Sequence, residues 1–318
     1  MKEFIVGIND AGQRADKFIT KAVPALPASL LYKYLRLKRI KCNGKRLTPA
    51  QILSEGDVLC FYINDEFFEK TDECDAYLHI RPQLNIVYED QNILLVDKKP
   101  GMPVHSDERE KTNTLISHIK AYLYNKGEYK PEEENSFAPA LCNRIDRNTG
   151  GIVIAAKNAS TLRVMNQKIK DREIQKSYLC LVHGRMSPPS GELRDNLIKL
   201  ENEKRVIVSA YRAPSSRLAV TKYRTVSSKN GISLVECELV TGRTHQIRAQ
   251  FAAAGHPLVG DGKYGSNAIN KPYGRKYQAL YSYKISFDFK TPANHLEYLK
   301  GKGFCIKDID FVSQYDLL

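Results

Sequence analysis

"NRIDRNTGGIVIAAKN", Asn143 to Asn158, decides how the larger part of this chain is read. Its first half is polar and irregular, with Asp146 between Arg144 and Arg147 and a Thr-Gly-Gly turn behind them. Its second half contains "GIVIAA", an unbroken apolar run that predicts a buried strand. The aspartate is therefore expected on a loop packed against the edge of a core. Neighbouring guanidinium groups favour its ionised form. That is the form a nucleophile, a general base or an electrostatic stabiliser needs. A second reading stays open from these residues alone: a turn aspartate satisfied by its own backbone hydrogen bonds.

Working outward, "LNIVYEDQNILLVDKKPGMPVH" reads as two strands joined at Asp90-Gln91-Asn92, the second ended by a Pro-Gly-Met-Pro loop. "NTLISHIKAYLYNKG" predicts a helix closed by Gly127, and residues 128–137 read as a polar, mobile loop. "ASTLRVMNQKIKDREI" predicts an amphipathic helix, and "QKSYLCLVHGR" a strand ended by a glycine turn. Several strands are expected between Ala219 and Leu239. Strands and helices do not alternate regularly, so the class expected is α+β rather than a doubly wound parallel sheet.

At 318 residues the chain is long enough for a sizeable core and two domains. Its net charge of +13 favours a polyanionic partner, of which nucleic acid is the usual one. No apolar run reaches the length of a membrane span, and the N-terminus does not read as a signal peptide, so a cytoplasmic protein is expected. The seven cysteines are dispersed, with no CxxC pair, which excludes a structural zinc site of the usual spacing and fits reduced thiols. Cys142 lies near Asp146, but no histidine stands beside it in sequence to make it a nucleophile.

Charge divides the chain early. Residues 1–62 hold eleven Lys/Arg against five Asp/Glu, whereas residues 65–75 hold six acids and one lysine. A basic module followed by an acidic linker is expected. Within the module, Ser29 is a candidate cap for a helix opening at Leu30, with Leu31, Tyr34 and Leu35 on one face. Lys33, Arg36 and Arg39, three apart, fall on another face. "IKCNGKRL" then reads as a hairpin turning at Asn43-Gly44, which brings Lys41, Lys45 and Arg46 close by. Such a cluster suits an RNA-facing surface; a solvated helix face is the plainer alternative. Over roughly residues 12–64 the module resembles the S4-like RNA-binding domain. The resemblance implies a small α/β unit that grips structured RNA through phosphates, contacts that position more than they specify.

Two more stretches carry chemistry. In "TGRTHQIRAQFAAAG" Thr244 is a candidate helix cap and Gly255 the residue at the far end. His245, Arg248 and Ala252 would share one face, and the small residues after Arg248 suggest a closely packed helix. An arginine so held could pair with a buried carboxylate; an ordinary surface arginine is the alternative. In "KSYLCLVHG" Lys176, Tyr178 and Cys180 share a strand face, where a tyrosine either stacks on a base or simply packs. There is no HExxH, no GxSxG and no phosphate-binding glycine loop; "GDGKYG" is too irregular for one.

Taken in order, "VDKKPGMPVH", "NRIDRNTGGIVIAAK", "KSYLCLVHG", "TGRTHQIRAQF" and "GHPLVGDGKYG" resemble the RluA-type pseudouridine synthases. The resemblance covers about residues 84–283, and the S4-like module before it suits members that act on ribosomal RNA. The resemblance implies a pseudouridine synthase fold with a mixed, largely antiparallel sheet. It implies Asp146 as the catalytic aspartate, Tyr178 as the tyrosine that packs on the target base, and Arg248 as the cation paired with the aspartate. Arg144 would contact RNA near the extruded base, with Lys33, Arg36, Arg39, Lys45 and Arg46 as further RNA contacts. It also implies no cofactor and no metal. The expected domains are 1–64, S4-like; 65–83, an acidic linker; and 84–318, catalytic. The expected substrate is 23S ribosomal RNA, with transfer RNA behind it, and the expected state a monomer. Two other classes stay open: a catalytically silent RNA-binding or ribosome-assembly protein, and an aspartate-dependent hydrolase acting on a nucleoside. One departure stands out. The family's usual His-Arg-Leu-Asp is here Asn143-Arg144-Ile145-Asp146, which removes a titratable ring but keeps a donor and an acceptor.

Overall fold

The computed structural model describes residues 1–69, 76–200, 202, 203, 205–209 and 211–315. The chain forms two compact units: residues 1–83, 116–140 and 156–163 in one, and 84–115, 141–155 and 164–318 in the other.

The first unit is built on a four-stranded antiparallel sheet of β1 (Lys2–Ile5), β2 (Ile40–Cys42), β3 (Lys45–Arg46) and β4 (Val58–Phe61), in the order β1-β4-β2-β3. Helices α1 (Ala15–Ala22) and α2 (Ala28–Arg36) cover it. Phe18, Ile19, Leu31 and Leu35 from the helices meet Ile40, Leu59 and Phe61 from the sheet in one apolar cluster. Leu31 and Leu35 are one helical turn apart, so both point inward, and Tyr34 is half-buried beside them. The helix starts earlier than its polar signals suggest. Pro27, at φ −60°, precedes Ala28, so Ser29 falls inside the first turn and does not cap it. The helix also stops sooner. Leu37 ends it and Lys38 takes a left-handed φ of 57°, so Arg39 lies beyond the helix, with its guanidinium 5.7 Å from the Tyr34 ring centre. Only Lys33 and Arg36 of the expected basic row are therefore helical, although Lys33, Arg36, Arg39, Lys45 and Arg46 are all exposed.

The Asn43-Gly44 hairpin forms as its sequence dictates. Both residues have positive φ, 49° and 73°, the combination a two-residue turn of this hand requires. The Asn43 side-chain oxygen also accepts the Val58 N–H at 2.8 Å. Residues 128–137 carry neither helix nor strand, yet they are not loose. The carboxylate of Asp10, 1% exposed, accepts the Ser136 hydroxyl at 2.5 Å and the Asn135 amide at 2.8 Å. A carboxylate this buried needs such donors, and satisfying it pins the loop. Of the acidic stretch, Phe67 and Phe68 pack on the module's core; residues 70–75 lie outside the described residues.

The second unit is organised by an eleven-stranded sheet. Its strands are β5 (Ile86–Glu89), β6 (Ile93–Lys98), β7 (Ala140–Leu141), β8 (Gly150–Ala156), β9 (Ile174–His183), β10 (Ser190–Leu200), β11 (Arg205–Ser209), β12 (Arg217–Lys229), β13 (Ile232–Leu239), β14 (Leu280–Phe287) and β15 (Gly303–Cys305). The main order is β11-β10-β12-β13-β9-β14-β8-β6-β5, with β7 on β8 and β15 on β14. Pairing is antiparallel at β5/β6 and from β11 through to β14, and parallel between β14 and β8. The region between Ala219 and Leu239 holds two long strands, β12 and β13, rather than several short ones. The other helices along the chain are α3 (Leu115–Asn125), α4 (Ala159–Lys170), α5 (Gln246–Ala253), α6 (Asn267–Asn270) and α7 (Asp310–Gln314).

The parallel β14/β8 pair positions the Asp146 loop. Gly150 and Gly151 are not a turn; they open β8, opposite Tyr281 and Ser282. A Cβ on Gly150 would lie 2.3 Å from the Tyr281 ring, and one on Gly151 would lie 2.3 Å from the Ser282 carbonyl. Only glycines admit this approach. The turn itself is Asp146 to Thr149, closed by a Thr149 N–H bond to the Asp146 carbonyl at 3.0 Å. The Gly-Gly pair thus lets the strand dock while the loop in front of it stays at the sheet edge. The six described cysteines are free thiols; Cys74 lies outside the described residues. Among the described residues, no helix is long and apolar enough to cross a membrane.

Candidate active site

Asp146 opens onto a cavity of about 500 Å³ lined by the 103–107 loop, by residues 142–147 and Thr149, by Lys176 and Tyr178 of β9, and by residues 242–248. Its carboxylate is a quarter exposed. Despite their adjacency, neither flanking arginine holds it. Arg147 pairs with Asp107 at 2.6 Å, and Arg144 is exposed, lining the cavity without a hydrogen bond or ion pair to any described residue.

The cation that does hold Asp146 comes from 102 residues away. Arg248 Nη1 donates to Asp146 Oδ2 at 2.7 Å. Its Nε and Nη2 donate to the two oxygens of Asp261 at 2.7 and 3.0 Å. Asp261 is fully buried, and its Oδ1 also accepts the backbone N–H groups of Lys263 and Tyr264. Burial alone would lower the arginine's pKa, but the Asp261 and Asp146 carboxylates outweigh it and hold it above its ordinary value. Burial likewise works against Asp261, and Arg248 outweighs it, keeping that carboxyl below its usual range. A planar guanidinium is suited to this double duty, clamped by one carboxylate while presenting an edge to another.

The helix bearing Arg248 is seated differently from what its sequence suggests. Thr244 does not cap it. His245 precedes the first turn in a left-handed conformation, φ 52°, with no side-chain cap. Ala253 and Ala254 are exposed, so the run of small residues is not a packing surface. Buried amides dock the helix instead. Gln246 donates to the Val220 carbonyl at 3.0 Å and to Thr221 Oγ1 at 2.8 Å, and Thr221 donates to Gln250 at 2.6 Å. Gln250 in turn donates to Asp195 at 2.7 Å. Gly255, with φ 86°, follows the helix end as expected.

Three other groups complete the surroundings. Tyr178, 6% exposed, has its hydroxyl pKa pushed up to about 12 by burial and by the charge of Asp146. It therefore stays neutral near pH 7, and its ring forms part of the cavity wall. His245 Nε2 lies 3.8 Å from Asp146 Oδ2, while its Nδ1 meets the Tyr264 hydroxyl at 2.9 Å; burial lowers its pKa. Lys98, 1% exposed, donates to the carbonyls of Lys99, Met102 and Arg147, at 3.1, 2.9 and 2.9 Å, tying the Pro-Gly-Met-Pro loop to the Asp146 loop. Burial pulls its pKa down to about 7 against the opposing charges of Asp146 and Asp97.

Sequence reasoning missed Asp261, Gln246, Gln250 and Lys98. The one available signal for Asp261 was an acid set between two glycine turns, too common to single it out. It also left Asn143 as a departure without a role. That residue is 7% exposed, and its side-chain oxygen accepts the Ile154 N–H at 2.8 Å, stapling the loop to β8. Asn143→Ala leaves that N–H unpaired and is expected to lower stability by about 1–3 kcal/mol in chemical denaturation. A variant as stable as the parent would contradict the staple.

Comparison with known proteins agrees with this architecture. Residues 92–253 match the RNA pseudouridylate synthase family, and residues 13–59 match the S4 domain. The chain belongs to the RNA pseudouridylate synthase family, isomerases that convert uridine to pseudouridine within RNA. An uncharacterized RNA pseudouridine synthase of Mycoplasma genitalium is 30% identical over 295 residues, covering 90% of this chain and 88% of the relative. The ribosomal large subunit pseudouridine synthase C of Escherichia coli is 29% identical over 300 residues, covering 92% of this chain and 89% of the relative. Among solved structures, human RNA pseudouridylate synthase domain containing 4 shares the fold. Its TM-score is 0.57 at 18% identity, and the match covers 74% of this chain and 94% of that one.

Proposed function

We propose that the chain isomerises specific uridines of large-subunit (23S) ribosomal RNA, with Asp146 as the reacting carboxylate. One observation carries this reading: Asp146 faces the cavity with one oxygen held at 2.7 Å by the clamped Arg248, while Tyr178 lines the same cavity. The reaction requires the base to leave C1′, turn, and rejoin through C5, so the uridine must first leave its helix. Asp146 then acts at the sugar or base, as a nucleophile or as a base at C2′. Arg248 keeps it aimed, and neutral Tyr178 packs on the extruded ring. Arg144, exposed at the rim, contacts RNA beside that base. The names of the relatives favour ribosomal RNA; transfer RNA is the second substrate to examine. Asn143, which as a bare sequence difference suited a catalytically silent protein, has a structural use that removes this argument. Mapping pseudouridine in RNA from cells with and without the gene tests the reading: a lost modification identifies the target, and an unchanged map overturns it.

The proposed organisation is an S4-like domain at 1–64, a linker at 65–83 and a catalytic domain at 84–318, acting as a cytoplasmic monomer. Deleting 1–64 would also strip Asn135 and Ser136 of Asp10, so charge reversal is the cleaner test of the basic surface. The exposed Lys33 and Arg36, with Arg39, Lys45 and Arg46, would meet phosphates. Lys33→Glu with Arg36→Glu is expected to weaken RNA binding and to reduce its log–log salt dependence by about 1 for each phosphate no longer neutralised. An unchanged salt slope would place the RNA elsewhere.

A further inference from the structure

Side chains of β9 alternate between two surroundings. Leu179 and Leu181 pack with Tyr281 and Phe311 in an apolar cluster. Lys176 and Tyr178, on the other face, line the cavity that holds Asp146. Among the described residues, the lysines and arginines of this unit that are buried have their own partners. Lys98 has three carbonyls, Arg248 two carboxylates, and Lys168 has Glu173 at 2.6 Å together with Thr291. Lys176 is half-buried, and it makes no ion pair or hydrogen bond with any described residue. Its pKa is lowered by burial, with no neighbouring carboxylate opposing the shift.

An ammonium taken partly out of water without a counter-charge is unfavourable. Here it sits inside the cavity, beside the aromatic ring proposed to receive the base. RNA brings one kind of anion, its backbone phosphates. Two residues along a strand span roughly 7 Å, a separation on the scale of the ribose that joins a base to its phosphate. Resting on the function proposed above, we infer that Lys176 binds a backbone phosphate flanking the extruded uridine and so sets how deep the ribose sits against Asp146. A phosphate suits it better than a base carbonyl, because a hydrogen bond between two charged groups is the stronger one.

The test is a binding cycle in the Asp146→Asn background, where turnover does not interfere. The probe is an RNA stem-loop carrying the mapped uridine, with the linkage on its 5′ or its 3′ side replaced, one at a time, by a neutral methylphosphonate. With Lys176 present, one of the two replacements is expected to weaken binding about tenfold or more. Lys176→Met should weaken the unmodified RNA by a similar factor and be indifferent to that replacement, so the two effects do not multiply. Lys176→Arg should restore part of the loss. Lys176→Met should also melt no lower than its parent, because it removes an unpaired charge. Multiplicative effects, no effect of the lysine, or a clear drop in melting temperature would each overturn the inference. Failure of the Asp146 reading shows separately, as turnover by Asp146→Asn; the binding cycle does not depend on it.

Discussion

Asp146→Asn is expected to abolish pseudouridine formation, by about 10⁴-fold or more, and to leave RNA binding nearly unchanged. The amide keeps the size of the side chain and one acceptor oxygen, but it has lost the negative charge that attack or proton abstraction needs. Arg248 would remain in place, because its other two contacts are to Asp261. Asp146 is a quarter exposed, so removing its charge should cost the fold little. Release of tritium from C5-labelled uridine measures the activity, and filter binding or anisotropy measures the affinity. Isomerisation by this variant at a rate near the parent's would show that another group does the chemistry.

Arg248→Met is expected to cause a large loss of both stability and activity. The methionine approximates the aliphatic stem but leaves Asp261 ionised and fully buried. Breaking a buried pair from one side typically costs about 3–5 kcal/mol. The pH dependence gives an independent check. In the parent, the folded-state pKa of Asp261 lies below the ordinary 3.8. Its pairing therefore contributes fully above 3.8, and the contribution falls away as pH drops from there through the folded value. In Arg248→Met the sign reverses: burial without the cation raises the carboxyl's pKa, so acid should relieve the defect. The double variant Arg248→Met with Asp261→Leu removes both buried charges and is expected to recover much of the stability while activity stays lost, since Asp146 remains without its cation. Denaturation midpoints across acid pH follow the first effect and tritium release the second. Recovery of activity by the double variant would mean that Arg248 serves the fold alone.

Much of the local structure was legible because its causes are local. Asn43-Gly44 turns a hairpin since both residues tolerate positive φ, and the helix over Leu31 and Leu35 follows from their one-turn spacing. The apolar run after Gly151 becomes a strand buried along its whole length. Cap assignments failed at Ser29 and Thr244 for the opposite reason. Each helix start is set by what precedes and surrounds it, Pro27 in one case and the docking of Gln246 and Gln250 in the other. The run Ala252 to Ala254 misled because small side chains suggest close packing, although Ala253 and Ala254 are exposed.

By itself the sequence determined the ordered motifs, and through them the family, the mixed α+β class and the candidates Asp146, Tyr178 and Arg248. The tertiary structure alone decided how those residues act on one another. Asp146 is held by a guanidinium 102 positions away rather than by the arginines beside it, and that guanidinium is fixed by Asp261, a carboxylate whose local sequence is too common to single it out. Asn143 became a staple only once β8 lay beside it. Backbone preferences and side-chain periodicity act over a few residues, so they can be read along the chain. The pairing of buried charges depends on which strands become neighbours, and that is settled only when the sheet assembles.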